Sequence, residues 1–389
     1  MTKSHLLLLT VLTLHSAVSA GSALAQSPPA VVLPSAERAP IALLVDLSAG
    51  QVLFARGADT QFLPASMTKV MTALVAFDLI DAGRLNENTL VTVSPDIAAR
   101  WSGRGTTLYL QAGEQVSVRD LLLGATIVSG NDAAAMLGEA ALGSEAAWLA
   151  AMNARAAALG MTGSHFGTPN GFPDQGQTYV TASDLIKLAA ALIDQHPVLY
   201  HRYFGQQMMV WRGTELHSHN PFAGALAGAD GIKTGHTFEA GFNFLGAVER
   251  GGRRLVFVTA RSWTAPDRAA AATALAEWGY AAWESRAFLE AGSIVGAAQV
   301  QNGEARSVTL TVPRAYSLAW IRGSEPAVSG RIVYQGPLRA PIKQGQQVAE
   351  LELEVSGQPP HSIPLVAQHS VGVAGPIDRI INGLLGLAS

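Results

Sequence analysis

Not one of the 389 residues is a cysteine, yet the chain opens with the pattern of an exported protein. Lys3 and His5 precede the apolar stretch Leu6 to Leu14, and Ala23-Leu24-Ala25 sets small residues where a signal peptidase reads. Residues 1–25 are therefore predicted to be a signal peptide, with the mature chain starting at Gln26. A buried helix at the start of a domain has no need of that cleavage pattern. An exported chain without disulfides must be held by its own apolar core, and thiolate catalysis and Cys-ligated metal centres are ruled out. The composition supplies such a core, with 49% hydrophobic and only 14% charged residues. No uninterrupted apolar run reaches the roughly 20 residues of a spanning helix, which excludes a polytopic membrane protein. A net charge of −3 argues against nucleic acid as the main partner.

Ile41 to Leu47 and Gln51 to Ala55 form a hairpin pattern around Ser48-Ala49-Gly50. From Ser66 to about Ala82, Met67, Val70, Met71, Leu74 and Val75 recur at i, i+3, i+4, i+7 and i+8, the spacing of one buried helix face. Alanine-rich helices are predicted over 131–141, 144–159 and 183–195. The strands 231–237, 241–250 and 253–260 follow, the last two joined by Gly251-Gly252. A long helix over 267–285 closes the region. This order of elements describes a mixed sheet with helices on its faces, in one domain of about 250 residues. Beyond it the short alternating strands 308–312, 331–334 and 348–355 read as a small β-sandwich. At the end, Ile377, Ile380, Ile381, Leu384 and Leu385 share one helical stripe. Such a helix either docks on the chain's own β domain or lies in a membrane interface.

Three short patterns can carry chemistry. In Ser66-Met67-Thr68-Lys69 the hydroxyl and the amine lie three apart on one helix, so Lys69 can take the Ser66 proton once burial or a nearby cation lowers its pKa. Alone the spacing is weak, and a helix-start serine with a solvated lysine would look the same. In Ser129-Gly130-Asn131 a second hydroxyl can relay protons to a leaving amine, and an amide can hold a peptide group through both donor and acceptor; a plain helix cap is the competing reading. Lys233-Thr234-Gly235 on a strand offers a cation and a hydroxyl to a carboxylate, with Gly235 admitting backbone closely. An edge-strand lysine that blocks aggregation is the alternative there. His217 and His219 form only a His-x-His pair without a third ligand, so no metal site is expected.

Together and in this order, the three patterns resemble the Ser-x-x-Lys, Ser-x-Asn, Lys-Thr-Gly set of penicillin-binding proteins and serine β-lactamases. The chain is similar to the D-alanyl-D-alanine carboxypeptidases among the low-molecular-weight penicillin-binding proteins. The likeness extends through Pro64 to Thr72, Ser129 to Ala134, Pro169-Asn170-Gly171, Asp230 to Thr237 and Ala240 to Asn243. It implies an α/β mixed fold of penicillin-binding protein and β-lactamase type, an antiparallel sheet with helices on its faces plus an α-rich lobe, followed by a small all-β domain. The implied boundaries are 36–286 for the catalytic domain, 290–370 for the β-sandwich, and 375–389 for an amphipathic helix that anchors the protein to a membrane.

The resemblance further implies removal of the terminal D-Ala from peptidoglycan stem peptides through an acyl-enzyme on Ser66, with β-lactams as covalent inhibitors and no cofactor. Lys69 would be the base and Ser129 the proton relay, while Asn131 orients the acyl part. Lys233 and Thr234, with Gly235, bind the terminal carboxylate; His236 contributes an oxyanion N–H beside that of Ser66. Arg268 falls near where the family has a substrate-linked arginine. The expected location is the periplasm, peripheral on the outer face of the cytoplasmic membrane. A serine β-lactamase is the enzymatic rival, but Glu139, Glu145 and Glu215 are the only glutamates between the second and third motifs, and none stands in the Glu-x-x-x-Asn setting of class A enzymes. A non-catalytic cell-wall binder would need neither the nucleophile nor its base.

Overall fold

The computed structural model describes residues 33–222, 225–356 and 361–375; the predicted signal peptide and the predicted helix from Pro376 lie outside them. The chain divides into two compact units: Val52–Ala282 with the stretch up to Leu47, and the chain from Trp283 onward with Ser48–Gln51.

The first unit is built on a five-stranded sheet of β1 (Ile41–Asp46), β2 (Gln51–Arg56), β3 (Lys233–Thr237), β4 (Gly241–Arg250) and β5 (Arg253–Ser262), in the order β2-β1-β5-β4-β3. The pairings β1–β5, β5–β4 and β4–β3 are all antiparallel, where the bare order of elements had suggested a mixed sheet. All six residues of β1 are buried because the sheet is covered on both faces, which is why Ile41 to Val45 reads as a continuous apolar run. Leu43, Val45, Val256 and Val258 join the main core on one face. On the other, Leu44 and Leu255 meet Gly279, whose missing side chain makes room for both at what would be 2.7 Å.

The helices that matter for the site are α1 (Lys69–Asp81), α2 (Asn131–Leu142), α3 (Glu145–Ala158), α4 (Ala182–Gln195) and α5 (Ala265–Ala282). The predicted start at Ser66 is a 3₁₀ turn, Ala65–Thr68, that runs straight into α1. That helix is buried on nearly every side, not on one face, because α2, α3 and α4 all pack around it. Ser144 and Thr181 cap α3 and α4, their hydroxyls accepting from Ala147 and Asp184 N–H. The last helix stops three residues short of its predicted end, since Trp283–Leu289 is a strand paired with Tyr316–Ile321.

The second unit contains that two-stranded pair and a six-stranded sheet formed by Ile294–Gln301, Ser307–Thr311, Val328–Val333, Leu338–Arg339, Gln347–Val355 and His361–Ala367. Its alternation is clean in Gln347–Val355, where Ala349, Leu351, Leu353 and Val355 are buried while Glu350 and Glu354 are exposed. The all-β reading of this region therefore holds.

Candidate active site

Ser66 sits on the short 3₁₀ turn, and two glycines let the backbone around it pack where no side chain could. A Cβ on Gly171 would lie 1.8 Å from the Ala65 carbonyl oxygen, and one on Gly235 would lie 2.3 Å from that of Pro64. Ala65, immediately before Ser66, has φ 48, an uncommon left-handed conformation for a residue with a side chain. Such strain is retained where the surroundings over-determine it, which is common at reactive sites.

Lys69 opens α1 and is fully buried. Its Nζ donates to Ser66 Oγ at 2.9 Å, to Asn131 Oδ1 at 2.8 Å and to the Asn170 carbonyl at 2.8 Å. The three donors of the ammonium are thereby used. Burial first, and the nearby Lys233 second, hold its pKa well below that of an ordinary lysine, with Asp132 opposing them. A neutral amine, able to accept the Ser66 proton, is thus far more accessible than in water.

Ser129 and Asn131 flank the junction into α2. A single π-helical turn, Gly124–Val128, ends at Ser129 with φ 71, and Gly130 N–H closes it onto the Gly124 carbonyl at 2.8 Å. Ser129 is buried yet lines the same groove as Ser66. The Asn131 amide is arranged differently from expectation. Its Oδ1 serves Lys69, and Nδ2 donates to the Arg104 carbonyl at 3.0 Å, which leaves one Nδ2 hydrogen for a ligand. Asp132, also buried, accepts from the Leu108 and Leu110 amides and so fixes the groove wall beside Asn131.

The strand β3 is the sheet's edge, so part of its backbone hydrogen-bonding faces away from β4. Lys233 is 4% exposed and its pKa is pushed down to about 7 by burial and then by Arg268. Its Nζ donates to the Thr234 carbonyl at 3.1 Å, and no carboxylate among the described residues pairs with it. Arg268 lies over the Phe242 ring at 5.7 Å, and its buried Nε has no hydrogen-bond partner. Two basic groups that act on each other electrostatically therefore have no carboxylate partner among the described residues, the chemistry of a carboxylate receptor. His236 stacks on Phe242 with 3.8 Å between ring centroids. His219, read from the sequence as structural, is tied to this corner: desolvation, then Lys233 and Arg268, lower its pKa. His217 instead stands exposed on the small hairpin Thr214–His217, near Glu215.

Ser66, Ser129, Asn131 and His236 line one groove of about 740 Å³. Sequence reasoning missed Asn170 as a partner of the base, the Arg104 carbonyl and the role of Asp132. Asn170 and Asp132 had a signal, inside Pro169-Asn170-Gly171 and Ser129 to Ala134, but nothing local announces a carbonyl reaching a residue 101 positions away.

The family described as D-alanyl-D-alanine carboxypeptidase matches residues 22–262, and the C-terminal domain of penicillin-binding protein 5 matches residues 283–372. The chain is 32% identical over 343 residues to the D-alanyl-D-alanine carboxypeptidase DacD of Salmonella typhimurium, covering 87% of each. Among solved structures it is similar to penicillin-binding protein 5 from Haemophilus influenzae, with TM-score 0.75, 29% identity, and coverage of 88% of this chain and 99% of that one. It is also similar to penicillin-binding protein D2 from Listeria monocytogenes in its ampicillin-bound form, with TM-score 0.55, 29% identity, and coverage of 65% of this chain and 100% of that one.

Proposed function

Since the chain belongs to the D-alanyl-D-alanine carboxypeptidase family, we propose that Ser66 is its nucleophile, Lys69 the base and Ser129 the relay of a serine-type acyl transfer. The enzyme is a penicillin-binding D-Ala-D-Ala carboxypeptidase that removes the terminal D-Ala from peptidoglycan stem peptides. The observation that carries the residue assignment is the 2.9 Å contact between Lys69 Nζ and Ser66 Oγ, made where Lys69 is fully buried beside a second cation.

The neutral Lys69 amine takes the Ser66 proton as Oγ bonds to the carbonyl carbon of the penultimate D-Ala. The oxyanion is held by the N–H groups of Ser66 and His236. When the C–N bond breaks, Ser129 passes the proton to the leaving amine, and free D-Ala departs with its carboxylate still facing Lys233, Thr234 and Arg268. The free hydrogen on Asn131 Nδ2 orients the acyl carbonyl. Water then attacks the ester, returning its proton through Lys69, and Ser66 is regenerated. A β-lactam follows the first half of this path, and no glutamate between the second and third motifs stands in the setting that speeds class A deacylation, so its adduct persists.

The leader pattern of residues 1–25 supports export, and the stripe Ile377 to Leu385 supports peripheral attachment to the outer face of the cytoplasmic membrane. The test of the catalytic assignment is incubation of the mature protein with labelled penicillin and with a D-Ala-D-Ala-terminated peptide. Free D-Ala and a stable adduct mapped to Ser66 are expected. An adduct on Ser129, or none, overturns the choice of nucleophile.

A further inference from the structure

Arg104 is exposed, and its guanidinium has no carboxylate partner among the described residues. It lies instead over two aromatic rings, 4.7 Å from the centre of Phe172 and 5.6 Å from that of Trp101, and the two rings meet edge to face at 5.5 Å. Trp101 ends the helix Pro95–Trp101 and is buried; Arg100 lies over it as well and pairs with Glu145 at 2.9 Å. Phe172 belongs to a separate segment, where its N–H donates to Asn170 Oδ1 at 3.0 Å.

The backbone of Arg104 serves another partner. Its carbonyl accepts from Asn131 Nδ2, and two residues on, the Thr106 carbonyl accepts the Asn131 N–H at 2.8 Å. Gly105, at φ 70, lets the loop lie this close, since a Cβ there would stand 2.7 Å from Asn131 Nδ2. Gly105 and Phe172 both line the catalytic groove, and Arg104 stands outside that lining.

Lys69 joins the two segments. Asn131 Oδ1 and the Asn170 carbonyl are two of its three acceptors, and Asn170 Nδ2 reaches the Asn131 carbonyl at 3.2 Å. A closed path thus runs from the Arg104 carbonyl through Asn131, Lys69, Asn170 and Phe172 back to the Arg104 guanidinium. We infer that Arg104 is a positioning residue that latches this path shut. Its side chain holds the Phe172 segment against Trp101 while its carbonyl sets the Asn131 amide, so both acceptors of Lys69 keep their places during acyl transfer. The planar guanidinium suits the task, because it stacks on aromatic faces where a compact ammonium does not. This inference rests on the assignment of Lys69 as the base.

The test measures Ser66 acylation by labelled penicillin, and turnover of a D-Ala-D-Ala-terminated peptide, in Arg104→Ala, Arg104→Lys, Phe172→Leu and the double variant of Arg104→Ala with Phe172→Leu. Arg104→Ala is expected to slow acylation and lower kcat by about threefold to thirtyfold with KM held within about twofold, because the guanidinium lies outside the groove. Arg104→Lys should restore part of the rate, since it keeps the charge but not the plane. In the Phe172→Leu background, Arg104→Ala should cost a clearly smaller factor, the ring it holds being gone. An unchanged kcat in Arg104→Ala, an undiminished loss in the Phe172→Leu background, or a loss confined to KM would overturn the latch. Should Arg104→Ala fail to fold, Arg104→Lys decides alone: a reduced kcat at unchanged KM supports the latch, and the full unmutated rate overturns it. The carboxypeptidase reading stands apart from these outcomes, since it requires only that the unmutated enzyme release D-Ala and take the label at Ser66.

Discussion

Lys69 Nζ sits 2.8 Å from Oδ1 of Asn131, a neutral acceptor, and the neutrality of that partner matters to the charge state of Lys69, the proposed base. A carboxylate at the same distance would favour the ammonium, adding to the pull of Asp132 against burial and Lys233. Asn131→Asp is therefore expected to raise the Lys69 pKa. The acid limb of the acylation profile should move up by about one to two pH units, and the second-order rate with penicillin near pH 7 should fall about tenfold to hundredfold. Stopped-flow acylation across pH 6 to 10 checks it; a lower rate with an unmoved limb would mean that Asn131 acts by orientation alone.

Lys233 supplies a second pH dependence of opposite sign. Burial and Arg268 push its pKa down to about 7, so the cation proposed to receive a carboxylate is present below that pH and lost as pH rises through it. The substrate carboxylate stays ionised throughout this range. KM for a free-acid D-Ala-D-Ala peptide should rise from pH 7 to 9, while KM for the matching C-terminal amide should stay nearly flat. Lys233→Ala should then harm the free acid far more than the amide, whereas equal losses would assign Lys233 to tuning Lys69.

The same burial makes Lys233 a cost to folding. It is 4% exposed, and the described structure gives it only the Thr234 carbonyl as a hydrogen-bond partner. Because its folded pKa lies below the unfolded one, the folded state binds fewer protons between about pH 7 and 10.4, and this group makes stability rise with pH across that window. Lys233→Met should therefore stabilise the protein at neutral pH by about 1–3 kcal/mol while eliminating free-acid turnover. Differential scanning calorimetry at pH 6.5 and 9 reads both claims, since the gain should shrink at the higher pH.

The three motifs were legible because each is local: a step of three residues at a helix start brings Ser66 to Lys69, and direct adjacency on a strand puts Lys233 next to Thr234, whatever the rest of the chain does. Arg268 was reachable only through family likeness, yet the structure couples it to Lys233. What stayed hidden was set by long-range contact. The burial of α1 all round depends on three other helices, and the end of α5 at Ala282 depends on Trp283 pairing with Ile321 across the second unit. His219 looked like half of an idle His-x-His pair because its neighbours, Lys233 and Arg268, are distant in sequence.

Gly171 faces both requirements that exclude a side chain, with φ 74 and the Ala65 carbonyl in the place of its Cβ. Gly171→Ala must displace the backbone that sets Ser66, and the Asn170 carbonyl that receives Lys69 moves with it. Near-attack geometry tolerates little error, so acylation should fall by roughly a hundredfold or more even where folding survives. Circular dichroism and penicillin labelling on one sample separate the two effects; full labelling with this variant would contradict the role given to close packing at Ala65.

The last expectation concerns the residues after Gly375. Five aliphatic side chains on one stripe, Ile377 to Leu385, can each contribute about 1–2 kcal/mol when buried in a membrane interface, enough for reversible adsorption once ordering costs are subtracted. Asp378 and Arg379 cancel in charge, so adhesion should depend little on anionic lipid or on salt, unlike that of a basic tail. Deleting Pro376 to Ser389 should release active enzyme from vesicles of neutral lipid with its thermal midpoint and peptidase rate nearly unchanged. A clear drop in thermal midpoint, together with a full-length protein that never sediments with vesicles, would instead make this helix part of the protein's own core.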